Sequence, residues 1–232
     1  MAIPALTRSI LVLFAVLAAV CVGCVAVFVW AALPTHGPRV APCPSPRTAV
    51  IVVDMQEDYT GPHARRGYEG SAGLVARVNG VLAVARRRGW ATVFIRNEVA
   101  PWNLGARLAT GNTGIRGTPG AAVDARLVRP AGSIEITKWR ADAFSNGALD
   151  AYLAANRVRY LIIVGVDAAA CLNATVRGAL NRGYDVTVPP DCTATRMSRP
   201  LAALLDDLRK AGARLTAPGG GSASGPTTTS RM

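Results

Sequence analysis

The chain has 232 residues, half of them hydrophobic and 17% charged, which suits one folded domain with appendages and excludes both a wholly disordered chain and a polytopic membrane protein. Its 26 Lys+Arg against 14 Asp+Glu give a net charge of +12, but lysine occurs only at Lys138 and Lys210, and the arginines are scattered without interleaved aromatics. Nucleic-acid binding is therefore not expected, and five cysteines are too few for a disulfide-built scaffold.

In chain order, residues 1–9 read as a short tail. Residues 10–33, ILVLFAVLAAVCVGCVAVFVWAAL, carry no charge. At about 1.5 Å per helical residue they span roughly 36 Å, enough to cross a hydrocarbon core of about 30 Å. A cleaved signal has an apolar stretch of only about 7–15 residues, so the expectation is an uncleaved single-pass anchor in the lipid bilayer. Arg8 lies on one side of it and Arg39 and Arg47 on the other, so the positive-inside rule does not say which side the rest of the chain faces. Residues 34–47, PTHGPRVAPCPSPR, are proline-rich and predict a semi-rigid, extended spacer.

From residue 48 to 216, short apolar runs alternate with helical patterns. Strands are predicted at 48–53, 91–95, 133–137, 160–164 and 185–188. Helices are predicted at 74–88, 149–155, 172–182 and 201–210, three of them stopping at Gly89, Gly183 and Gly212. The run TAVIVV at 48–53 is apolar at nearly every position, as a parallel strand covered on both faces should be. Alternation of this kind implies an α/β fold with a mainly parallel, Rossmann-like sheet and helices on both faces, a three-layer α/β/α domain. Residues 98–118 show no period and read as a long loop of the kind that often carries function. Residues 217–232, rich in Gly, Ser and Thr, read as a disordered tail.

In an open parallel sheet, ligands gather beyond the carboxyl ends of the strands. Three chemically capable residues fall there: Asp54 in VVDMQEDY, Lys138 in EITKWRADAF, and Cys171 in IIVGVDAAACLNATV, where a helix begins. Singly, each has an ordinary explanation as a turn residue, a solvated lysine or a small core residue. Together they suit acyl transfer. A free thiol has a pKa near ~8.5, a helix N-terminus and an ammonium favour its thiolate, and a carboxylate accepts its proton. Backbone N–H groups at the same helix start stabilise an oxyanion. Asp54 is then the base, Cys171 the nucleophile and Lys138 the electrostatic partner.

On these residues the chain resembles the isochorismatase-like cysteine hydrolases, the superfamily of nicotinamidases, N-carbamoylsarcosine amidase and ureidoacrylate amidohydrolase. The likeness runs from about residue 48 to 195. It rests on DMQEDY, on GTPG at 117–120, on Lys138 and Phe144 in K-x5-F, on GVDAAAC at 165–171 and on ATVRGALNRGYDVTVPPD at 174–191. The resemblance implies a catalytic Asp–Lys–Cys triad at Asp54, Lys138 and Cys171. It also implies a non-proline cis peptide between Val166 and Asp167, and an oxyanion hole built from the N–H groups of Asp167 and Cys171. Nicotinamidases of the family commonly carry a set of histidine metal ligands. Only His36 and His63 are present here, so neither a metal nor another cofactor is expected. A cysteine nucleophile favours C–N bond hydrolysis over vinyl-ether hydrolysis, and the implied partner is a small-molecule amide or ureido substrate.

Other residues are assigned more loosely. Glu98, Trp102 and Asn103 leave the carboxyl end of the second strand and are candidates for the substrate pocket. Trp139 and Phe144 fit a pocket wall or the packed core equally well. Asp167 is expected to point to solvent. Cys43 and Cys192 sit at opposite strand ends, roughly 20 Å apart at about 3.3 Å per residue, too far for a disulfide. Relatives differ in contacts across subunit interfaces, so a homo-oligomer is compatible with the pattern. Two other classes stay open: a non-catalytic ligand-binding or thiol redox-sensing protein, which would show peroxide-dependent oxidation of Cys171 without turnover, and a phosphoacceptor domain, which would require Mg²⁺-dependent phosphoryl labelling of Asp54.

Overall fold

The computed structural model describes residues 5–217, with side chains from Leu13 onward. Residues 1–4 of the expected N-terminal tail and residues 218–232 of the expected C-terminal tail lie outside the described residues. The centre is strand β1 (Arg47–Val53). Its side chains alternate between two cores: Ala49, Ile51 and Val53 enter one, and Val50 and Val52 enter the other. Burial on both faces explains why the run is apolar without a break.

Strands β2 (Ala91–Asn97), β3 (Ile134–Lys138), β4 (Val158–Val166) and β5 (Asp185–Thr187) complete a parallel sheet in the order β3-β2-β1-β4-β5, and β6 (Thr193–Ala194) extends the ladder beside the end of β4. The first helix packed on the sheet is α2 (Ser71–Arg88), whose Leu74, Val78, Val81, Leu82 and Ala85 recur at helical spacing and cover one face. It stops at Gly89, which takes the left-handed φ of 62° that a residue with a Cβ rarely adopts. Helices α4 (Ala148–Ala155), α5 (Cys171–Asn181) and α6 (Leu201–Lys210) cover the other face through Leu149, Leu153, Leu172, Val176, Leu205 and Leu208. Each such side chain contributes roughly 1.5–3 kcal/mol by leaving water, and the three layers expected from the sequence are the three layers present.

Chain order runs outward from β1 through β2 to β3, then returns to β4 on the other flank of β1. The carboxyl ends of β1 and β4 therefore flank a topological switch point, the usual place for a ligand crevice. Gly165 makes this junction possible. A Cβ there would strike the carbonyl of Val53 in the neighbouring strand, and its φ of 115° suits glycine alone.

Two parts of the chain differ from the sequence reading. The region 98–118 holds a short helix, α3 (Leu104–Ala109), begun by Asn103, whose Oδ1 accepts the Ala106 N–H at 3.0 Å. Its six residues are too few to show a period. At the N-terminus, helix α1 (Ala5–Ala32) begins before the apolar run, taking in part of the expected tail. The stretch after it is not a free spacer. Thr35 donates from both N and Oγ1 to Asp142 at 2.7 Å. The Thr35 carbonyl accepts from Asn181 at 3.0 Å and Arg182 at 3.2 Å, and the Val40 N–H reaches the Arg182 carbonyl at 2.9 Å. Asp142 and Arg182 are buried, and buried charge requires partners; residues 35–40 add to those that Phe144 gives Asp142 and Asp150 gives Arg182.

Candidate active site

Beyond the switch point lies a cavity of about 290 Å³ whose lining includes Asp54, Cys171, Tyr59, Asn97 and Asp167. Asp54 is the first residue after β1. It sits at φ 53°, a left-handed conformation that aspartate tolerates better than most residues, with its N–H on the Ile95 carbonyl at 3.0 Å. Lys138 is the last residue of β3, and its side chain is wholly buried beneath the cavity. Its Nζ donates to Asp54 Oδ2 at 2.8 Å. Asp54 Oδ1 is buried and has no hydrogen-bond partner among the described residues, so one carboxylate oxygen is held by lysine and the other is free to take a proton.

Cys171 is the first residue of α5, reached through a sharp turn at Ala170 (φ −132°, ψ −100°). Burial pushes its thiol up to about 12; the Lys138 ammonium pulls it down, and the Asp54 carboxylate pushes it up again. Burial works against the charge on Lys138, but Asp54 and Cys171 outweigh it and hold the ammonium above its ordinary value. Burial and the Asp54 carboxyl therefore oppose ionisation of the thiol, and the Lys138 ammonium favours it. The Val166–Asp167 peptide is cis. Neither the Asp167 nor the Cys171 N–H donates to any other described group, and both residues line the cavity.

The expectation that Asp167 points to solvent is overturned. It is buried, and its carboxylate accepts from the Ala169 N–H at 2.7 Å, Thr195 Oγ1 at 2.8 Å, the Arg196 N–H at 2.9 Å and the Tyr68 hydroxyl at 3.2 Å. Four donors replace its hydration and tie the turn before α5 to the segment after β6.

Of the looser pocket candidates, Trp139 lines the cavity and the others do not. Glu98 is paired with Arg96 at 2.9 Å and Arg116 at 3.2 Å. Trp102 and Asn103 are exposed around the start of α3, and Phe144 is buried in the core against Tyr184, with ring centroids 5.9 Å apart. The residue at the mouth of β2 is Asn97 instead. Its N–H donates to Gln56 Oε1 at 2.7 Å and its side chain to the Tyr59 hydroxyl at 3.4 Å. Side chains alternate along the strand, so Glu98 falls on the side of Arg96, to which it is paired, and Asn97 on the side that lines the cavity. Arg66 and Tyr68 line the cavity from outside any strand end, and Arg196 lines it just past the two-residue β6, a strand too short for spacing to mark.

No three His, Cys, Asp or Glu side chains among the described residues gather into a metal-holding group, and His63 is exposed. The five cysteines are all free.

The Isochorismatase domain family matches residues 48–217. The chain is similar to an Arabidopsis thaliana protein named "probable inactive nicotinamidase", at 29% identity over 72% of this chain and 90% of that one. It is similar as well to a ureidoacrylate amidohydrolase of Caulobacter segnis, at 29% identity over 67% of this chain and 76% of that one. Among solved structures it resembles an isochorismatase family protein from Desulfovibrio vulgaris with a TM-score of 0.67 and 27% identity, over 74% of this chain and 94% of that one.

Proposed function

The chain belongs to the isochorismatase family, and from that premise we propose that it is a cysteine hydrolase of amide or related C–N bonds in small molecules, held at a membrane by α1. The observation that carries the reading is the buried Lys138–Asp54 pair, with one free carboxylate oxygen, opening on the same cavity as Cys171.

In this mechanism Asp54 Oδ1 takes the thiol proton, and the sulfur attacks the substrate carbonyl. The oxyanion rests on the N–H groups of Asp167 and Cys171. As the tetrahedral adduct collapses, the C–N bond breaks and the leaving amine takes the proton held by Asp54. Water then gives a proton to Asp54 and attacks the thioester; the acid leaves, and the thiolate recovers its proton. Lys138 stays charged throughout, countering the negative charge that moves between Asp54 and sulfur. Anchoring draws on the stretch Leu13–Ala32, of mean hydropathy 2.7 with none of it buried. That length suits a bilayer core of about 30 Å.

Ammonia release by the full chain in detergent micelles, against simple amides, ureido acids and carbamoyl compounds, tests the reading. Cys171→Ala should lower turnover by at least about 10³-fold, and retained turnover would sink it. The first relative's name favours one other reading, a non-catalytic binding or redox-sensing member; peroxide oxidation of Cys171 in a protein that releases no ammonia from any of these compounds would select it.

A further inference from the structure

The chemistry above makes no use of α1, yet Phe28, Ala31 and Ala32 of its last turn line the same cavity as Asp54 and Cys171. The contact is specific. The Ala141 N–H donates to the Ala31 carbonyl at 2.9 Å, and Arg140 Nη2 donates to the carbonyls of Trp30 at 2.7 Å and Leu33 at 3.3 Å. The Arg140 guanidinium lies 4.0 Å over the Trp30 ring, and the Trp30 and Trp139 rings are 5.4 Å apart. Arg140 thus caps the carbonyls at the end of α1, where a cation is favoured. The cavity stands within one helical turn of the point where the apolar span ends.

The surroundings of the mouth match that position. Because the strands are parallel, the segments leaving them gather at one edge of the sheet. Trp102, Leu104 and Leu108 follow β2, Trp139 follows β3 and Met197 follows β6, and each is between 56% and 84% exposed. Three of the four tryptophans of the chain, Trp30, Trp102 and Trp139, stand at this edge. Tryptophan favours the membrane–water interface, and arginine favours anionic headgroups. Alanines 31, 32, 109, 141 and 170 in the lining leave width between the larger residues.

We infer that the cavity opens at the membrane surface and takes amides with an apolar tail, delivered from the bilayer along the wall formed by Phe28, Ala31, Trp139 and Met197. This rests on the hydrolase reading for the fate of the amide, while the tail site is a matter of binding alone.

The test is chosen to need no turnover. The full chain in phosphatidylcholine vesicles is alkylated with iodoacetamide or N-dodecyl iodoacetamide, and modification of Cys171 and Cys43 is followed by mass spectrometry. Cys43 is half-buried eleven residues beyond the end of α1, and it reports how far vesicles concentrate the dodecyl reagent near the surface. The dodecyl-to-short rate ratio at Cys171 should exceed that at Cys43 by at least about tenfold, a small part of what burial of a dodecyl chain provides. Equal ratios overturn the inference, whether or not the protein hydrolyses amides. Ammonia release from short amides together with equal ratios would remove the tail site and leave the hydrolase standing. A tenfold preference without ammonia release from any amide would do the reverse.

Discussion

The floor and the rim of the cavity are built on opposite terms. The floor is Asp54, Lys138 and Cys171, three residues at the ends of three elements, where a buried ion pair keeps one carboxylate oxygen free beside a thiol. The rim is Phe28, Trp139, Met197 and their neighbours, apolar and partly exposed side chains drawn from segments far apart in sequence. Neither charge of the buried pair tolerates loss of the other, because each exists at the expense of hydration that its partner replaces. An exposed rim has nearly nothing to lose in stability from substitution. Chemistry and stability are therefore coupled in one region and separable in the other.

Lys138→Met should show the largest combined effect. It leaves Asp54 buried without its cation, which costs about 3–5 kcal/mol in comparable buried pairs, and it removes the charge that balances the thiolate. Urea unfolding should show the loss of stability, and amide hydrolysis should vanish. Asp54→Asn together with Lys138→Met should regain most of the stability and none of the activity. A double variant no more stable than the single one would mean that the pair is not the unit it is taken to be.

Alkaline pH should strain the same floor from outside. The Cys171 thiol is held above its ordinary pKa of ~8.5, up to about 12, so the folded state keeps a proton that the unfolded chain releases. Its contribution to stability is complete below pH ~8.5 and is lost as pH climbs toward the folded value. Lys138, also raised, adds a loss that sets in only above the ordinary lysine value of ~10.4. Unfolding free energy should fall from about pH 9 upward, and the fall should be shallower in Cys171→Ala. In Asp54→Asn the carboxylate no longer opposes the thiolate, so the pH midpoint of Cys171 alkylation should move down even as hydrolysis is lost. An upward shift would contradict the electrostatics assigned to the floor.

The floor was legible in sequence because polar residues ending apolar runs stand out against them. Asp54 interrupts VIVV, Lys138 ends a strand, and Cys171 opens a helix after GVD. Singly each had an ordinary explanation; their shared place at the strand ends suggested their roles, and the resemblance agreed with them. Glu98 failed for a nearby reason. It does leave the end of β2, but alternation puts it on the side of Arg96, to which it is paired, and leaves the cavity side to Asn97. Asp167 failed because nothing in GVDAAAC reveals four donors arriving from Tyr68, Thr195, Arg196 and its own turn. The α1 wall was illegible altogether, since the run at 10–33 reads as lipid-facing at every position and its contact with Arg140 is purely tertiary.

The join between the two regions is a smaller and separate lever. Thr35 Oγ1 donates to Asp142 at 2.7 Å and accepts from Arg182 at 3.1 Å. Thr35→Val keeps the shape and deletes both bonds, leaving two buried charged groups each short of a partner. That should cost about 1–3 kcal/mol by thermal unfolding. If α1 contributes a wall of the cavity, the same change should lower the dodecyl-to-short alkylation ratio at Cys171 more than it lowers the iodoacetamide rate itself.

The rim alone should give the smallest change in stability and the cleanest separation. Leu104 and Leu108 are 68% and 84% exposed and lie one turn apart on α3, so replacing both by Gln removes apolar surface without opening a cavity. Unfolding free energy should move by no more than about 0.5 kcal/mol at each site. In vesicles, however, the edge that meets the headgroups becomes more polar, and the preference for the dodecyl reagent at Cys171 should drop while Cys43 keeps its own ratio. Because the floor is untouched, a fall in iodoacetamide reactivity of equal size would mean that α3 acts on the thiol and not on the route to it, which would dissolve the division between floor and rim.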